Sequence, residues 1–304
     1  MVRMMSLVPV LVALASSGAA AADSRGSYGN EVAEWRAHRE AALRSDDGWL
    51  TVTGLFWLHP GASRIGTDPS NDLLLPEGSA PGYIGTLTVT GSKVTFDAEK
   101  SSGVQLNGRP AGFSALKPDA EGAPDTLAVA RLKLLLLKRG DRYALRLKDN
   151  DSVIRKDFGG LRWYPVEEKW RIKARLIPPN EPRKLVFDTI IGEQDALESA
   201  GYVVFEFEGK QYRLEAAGRG PDLFLVFRDG TSGKTTYGSS RFLNAKVEAD
   251  GTVILDFNKA YNPPCSFTPY ATCPLPPPQN RLSLAITAGE LKYQSKQSLA
   301  DLHD

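Results

Sequence analysis

Short alternating segments that pivot on glycine recur along this chain, and they restrict its fold more than any other feature. TLTVT and KVTFD flank Gly91-Ser92, and ARLKLLLLK and RYALRLK surround Gly140-Asp141. YVVFEFE and QYRLEA flank Gly209-Lys210, and VEA and TVILDF flank Asp250-Gly251. Period-two alternation sends successive side chains to opposite faces of a strand, while glycine supplies the positive φ that a tight hairpin turn needs. The chain is therefore expected to be mainly β, made of sandwiches or barrels rather than a parallel α/β sheet. One helix stands apart: Glu31 to Arg44, with Asn30 as N-cap, puts Val32, Trp35 and Leu43 on one face.

The rhythm divides the chain. Residues 1–22 read as a signal peptide, with Arg3, an apolar run from Met4 to Ala15 and small residues ending at Ala20-Ala21-Ala22. That run is too short to span a bilayer, and no later segment approaches about 18 uninterrupted apolar residues. The mature protein is thus expected to lack a transmembrane segment and to be exported, periplasmic or extracellular. An N-terminal helical segment over 23–48, a β-sandwich over 49–150, a connector over 151–170, a second antiparallel β-domain over 171–295, barrel or sandwich, and a tail over 296–304 complete the reading. In the connector, charge and Gly159-Gly160 break the strand rhythm, while Trp163, Tyr164 and Trp170 mark packed surface. IPPNEPRK, residues 177–184, reads as a rigid loop.

The formal charge is +1 and lysine and arginine form no dense cluster, which removes the electrostatic footprint of a nucleic-acid binder. DGTSGKTTYG, residues 229–238, has Arg228 where a phosphate-binding P-loop needs its first glycine, and a strand rather than a helix follows. It reads as a hairpin connection after DLFLVF. The three histidines, His38, His59 and His303, supply neither a nucleophile's base nor a zinc set, and no GxSxG or HExxH occurs. No metal site and no cofactor is assigned.

YNPPCSFTPYATCPLPPPQNR, residues 261–281, holds both cysteines and seven of the twenty prolines. In an exported protein this spacing predicts a Cys265–Cys273 disulfide, and seven intervening residues argue against a CxxC-type redox pair. Around it stand Tyr237, Arg241, Asp256, Asn258, Asn262, Asn280 and Glu290. Asp256 and Asn258 lie at strand spacing and face one side. Such groups either tie down an irregular loop's backbone or line a pocket.

TSGKTTYGSSRFL, DFNKAYNPPCSFTPYATCPLPPPQNRL and AITAGE together resemble the signature of a bacterial and archaeal family, domain-of-unknown-function family 1684, from about Glu34 to Glu290. The resemblance implies a shared fold and one constellation of Arg241, Asp256, Asn258, Asn262, Asn280 and Glu290, with no activity attached. Gln279 stands where that family is expected to carry glutamate. SRIGTDPSNDLLLP and SSGVQLNGRP resemble the forkhead-associated β-sandwich. Thr67 follows Gly66 where that family writes arginine, and Gly82 replaces its histidine; Asn107-Gly108 matches its turn. A phosphate reader without its guanidinium loses the bidentate contact, so the resemblance implies a scaffold.

Two functions follow. The first is an exported binding or scaffold protein with a pocket in its second β-domain for a small molecule or cell-envelope component, using Tyr237, Arg241, Asp256, Asn258, Asn262 and Asn280. The alternative is a hydrolase-like enzyme with Asp256 and Glu290 as a carboxylate pair and Arg241 stabilising negative charge.

Overall fold

A computed structural model describes residues 17–296. Residues 1–16 of the expected leader and residues 297–304 of the expected tail lie outside them. The protein is mainly β, with one long helix at its amino-terminal end. The helix spans Ser17–Arg44, so Asn30 lies within it rather than at its start. A cap signal is a local preference, and burial overrides it: Tyr28 and Val32, on either side of Asn30, are both withdrawn from solvent.

Residues 52–149 form a sandwich. Its six-stranded sheet runs, edge to edge, Val52–Trp57, Arg142–Asp149, Leu132–Arg139, Thr126–Val129, Gln105–Leu106 and Arg109–Pro110. The five-stranded sheet runs Leu73–Leu74, Gly61–Gly66, Gly85–Thr90, Lys93–Ala98 and Ser114–Ala115. The inward residues of the alternating segments, among them Leu87, Phe96, Leu134 and Leu145, meet in one core. The predicted turns at Gly91-Ser92 and Gly140-Asp141 close the ladders Thr90–Lys93 and Arg139–Arg142. Asn107-Gly108 turns with both φ positive, at 50° and 79°.

A seven-stranded antiparallel sheet follows. Its order is Arg241–Lys246, Asp222–Phe227, Lys210–Ala217, Gln194–Phe207, Arg171–Ile177 and Thr252–Asp256, with Lys184–Asp188 paired to Gln194–Phe207 as an outlying hairpin. The two ends nearly meet through a single bridge, Val247 to Val253, which makes the sheet a barrel with an open seam. This changes two sequence readings. VEA and TVILDF meet at the Val247–Val253 bridge, with the Glu248 amide donating to the Thr252 carbonyl at 2.8 Å, and the extended ladder of Thr252–Asp256 is made with Arg171–Ile177. The turn after YVVFEF uses Glu208-Gly209 rather than Gly209-Lys210, since Phe207 pairs with Lys210 and both turn residues take positive φ.

Leu223, Leu225, Leu243, Val253 and Leu255 fill the barrel. Phe224, Val226 and Phe242 point outward, where Leu185, Phe187 and Ala271 cover part of them. The helix, the connector and the proline loop share a further core of Leu43, Leu50, Phe158 and Phe267, which fastens the two β units together.

Candidate functional site

Outward side chains on the barrel strands are covered only in part, and the uncovered stretch is a groove of 840 Å³. Leu197, Ala217, Phe224 and Ile254 form its apolar surface, with the helix residue Glu31 and the turn residue Lys259 at one end. Ile254 and Leu197 remain 37% and 40% exposed, so the groove presents a wettable apolar face large enough for a small ligand. Strand periodicity explains the arrangement: Val253 and Leu255 enter the barrel, so Ile254 and Asp256 must face the groove.

Charges of both signs rim it. Arg219 pairs with Glu198 at 2.9 Å and Lys246 lies 3.9 Å from Asp222. Lys259 meets both Glu31 and, at 3.5 Å, Asp256. The Lys259 ammonium holds the Glu31 carboxyl below its ordinary range. Arg171 sits opposite Asp256 in the ladder, stacks 4.9 Å from the Tyr28 ring, and is exposed. Among the described residues it makes no ion pair.

Behind the rim, the Tyr28 hydroxyl donates to Asp256 Oδ1 at 2.7 Å and accepts from Asn258 Nδ2 at 2.9 Å. Asn258 also brackets Glu167, donating to its carbonyl at 2.9 Å and accepting from its amide at 3.1 Å. Burial, reinforced by the Asp256 carboxylate, raises the Tyr28 phenol well above its usual range and keeps it protonated. This network fixes Asp256 at the groove and joins helix, connector and barrel.

The other sequence-predicted residues are placed elsewhere. Arg241 is fully buried: it pairs with Asp229 at 2.6 Å, donates to the Ile286 carbonyl at 3.1 Å, and donates also to that of Ala288. Asn280 donates to the carbonyls of Glu215 and Val226 and accepts from the Glu215 amide. Asn262 donates to the Leu291 carbonyl at 2.7 Å. Glu290 is fully buried beside Arg39, whose Nε lies 3.5 Å away, and burial pushes its carboxyl up to about 7 against the pull of that arginine. Asp256, Glu290 and Arg241 therefore spend their contacts on three different sets of partners. Of the expected constellation, Asp256 alone lines the groove, and Arg241, Asn258, Asn262 and Asn280 tie down backbone.

Tyr237 donates to the Cys265 carbonyl at 3.1 Å. Both cysteines are free thiols in this structure, although the sequence predicts a bridge. They lie against each other, with the Cys265 amide donating to Cys273 Sγ at 3.3 Å.

Sequence reasoning missed Tyr28, Arg171, Leu197, Phe224, Ile254 and Lys259. One signal was available. The run LFLVF, residues 223–227, is apolar on both faces, which marks a strand covered on each side and therefore a second layer or cleft outside the barrel.

The family model described as Protein of unknown function (DUF1684) matches residues 156–291. No curated protein matches the chain. Among solved structures, an uncharacterized protein of Haloarcula marismortui, determined by solution NMR, is 31% identical over 45% of this chain and 78% of that one, with a TM-score of 0.38.

Proposed function

The chain belongs to the family described as Protein of unknown function (DUF1684), a description that assigns no activity, and we propose from the geometry that it binds an elongated amphiphile with an anionic head. The observation that carries this reading is the groove itself, an apolar strip ending beside Arg171, an exposed arginine that makes no salt bridge among the described residues. The apolar body lies along Leu197, Phe224 and Ile254, where burying it removes surface from water. The head meets Arg171, whose planar fork suits a carboxylate or phosphate, with Lys259 adjacent. Asp256 holds the rim in position through Tyr28 and Lys259 and bars a head from binding deeper.

Export, and a cell-envelope source for the amphiphile, belong to the same proposal and follow from the leader-like amino-terminal sequence. In it the amino-terminal sandwich is a forkhead-associated-like scaffold. Six strands packed on five and the Asn107-Gly108 turn support that assignment, and Thr67 and Gly82 leave it without phosphopeptide chemistry.

The test is thermal shift of the full chain against straight-chain carboxylates, alcohols and amines of equal length, with cell-envelope lipid fragments alongside. Carboxylates are expected to raise the melting temperature most, and Ile254→Arg to abolish the rise. A panel in which nothing moves the melting temperature contradicts the proposal.

A further inference from the structure

We propose that Cys265 and Cys273 are an exchange-active dithiol that an external organic disulfide converts to an intramolecular bridge, fastening the proline loop to the amino-terminal sandwich. The argument begins with placement. Cys265 occupies the turn Pro264–Ser266 and is half-buried, whereas Cys273 is 5% exposed and packs behind it with Ala271 and Phe242. The Cys265 amide pointing at Cys273 Sγ brings the two sulfurs into one small volume despite the seven residues between them. Prolines on both sides hold that geometry before any bond forms.

The two thiols differ in the way an attacking and a resolving cysteine must. The adjacent Cys273 side chain, with help from Tyr237 and against burial, lowers the Cys265 thiol below its usual range. The Cys273 thiol is raised, by its interaction with Cys265 and by its deeper burial. Cys265, the more exposed of the two, is therefore the sulfur an incoming disulfide meets first. Arg146 supplies what the second step needs. It is a buried arginine of the sandwich, stacked 4.8 Å over Trp49, and its Nε and Nη2 have no hydrogen-bond partner. Its positive charge favours the thiolate form of Cys273.

The step balances without another reagent. The Cys265 thiolate attacks one sulfur of R–S–S–R, forming a mixed disulfide and expelling R–S⁻. Cys273 gives up its proton to solvent, its sulfur attacks Sγ of Cys265, and a second R–S⁻ leaves. Two cysteine thiols are oxidised to one disulfide and the external disulfide is reduced to two thiols.

The ring so closed contains the contacts that join the loop to the sandwich. Thr268 donates to the Val52 carbonyl at 2.8 Å, and Arg139 Nε donates to the Thr272 hydroxyl at 3.1 Å. Closing it removes loop conformations in which those contacts are broken.

To test this, the reduced full chain is incubated with oxidised glutathione, remaining thiols are alkylated with iodoacetamide, and the intact mass is read. The expected product has lost two hydrogens and carries neither glutathione nor alkyl groups. Cys273→Ser is expected to stop with one glutathione on Cys265, and Cys265→Ser to take up none, because its remaining thiol is buried. Wild-type chain that keeps two alkylatable thiols, or retains glutathione without closing, overturns the proposal. That wild-type reading stands even if a variant fails to fold.

Discussion

At the scale of single residues, buried charge dominates. Arg241 and Asp229 are each fully hidden from water, and the guanidinium also holds the carbonyls of Ile286 and Ala288. Removing one member of such a pair leaves an uncompensated buried charge and typically costs about 3–5 kcal/mol. Arg241→Met is therefore expected to lower the unfolding free energy measured in urea by that amount, whereas breaking a surface pair such as Arg219 with Glu198 should change it by less than about 1 kcal/mol. Gly289 belongs to the same knot: its φ is 82°, and a Cβ there would stand 2.5 Å from the Ala260 carbonyl oxygen and 2.8 Å from Arg241 Nη2. Glu290 gives a pH signature. Its carboxyl titrates near 7 in the folded chain against an ordinary 4.5, so the folded state binds the proton more tightly. The stability this confers is complete below the unfolded value and is lost as pH rises through the folded one, by roughly 3 kcal/mol in all. Urea midpoints compared at about pH 5 and about pH 8 should show that loss in the wild type and its absence in Glu290→Gln; equal slopes would remove the assignment.

At the scale of elements, one insertion completes the barrel. Lys210–Ala217 and Asp222–Phe227 pair only at Ala217 and Phe224, and the chain around Asn280 enters the gap between them. The Asn280 side chain serves three backbone groups there, while its own carbonyl accepts from the Arg228 amide at 3.0 Å. Buried donors and acceptors left alone each cost about 1–3 kcal/mol, so Asn280→Ala should destabilise by roughly 3 kcal/mol or more. Hydrogen exchange should report loosened amides at Glu215 and Arg228; unchanged protection at both would contradict the role. The sequence showed that Asn280 belongs with the irregular carboxy-terminal segment, but not that it substitutes for a missing ladder. Turn chemistry was legible because glycine and positive φ are local properties, as at Gly91 and Gly140. Strand partners were less so. TVILDF pairs with Arg171–Ile177, some eighty residues earlier, and no local signal states which edge a strand will give to a distant neighbour. The helix start was misread for a related reason, since the docking of Tyr28 on Asp256 across 228 residues is what extends it past Asn30.

At the scale of the whole molecule, the class of fold, mainly β and antiparallel, was readable from alternation. The binding face was not. Polar residues gathered near the proline loop in sequence, and folding used most of them to satisfy loop backbone, leaving Asp256 at the groove. The groove itself is assembled from the helix, residues of five barrel strands and the Lys184–Asp188 hairpin's partner strand, so no single stretch of sequence contains it. Anionic-head binding predicts a charge dependence: Arg171→Gln should weaken carboxylate binding about tenfold or more, equivalent to about 1.4 kcal/mol, while leaving an alcohol of equal length unaffected. The groove's occupancy is tested most directly by a straight-chain carboxylate carrying a photoreactive diazirine on its alkyl chain, cross-linked to the full protein and mapped by peptide mass spectrometry. Adducts at Leu197, Phe224 and Ile254, suppressed by excess unlabelled carboxylate, are the predicted result. Adducts that favour other exposed apolar side chains, such as Phe113 or Val153, or that survive competition, would contradict it.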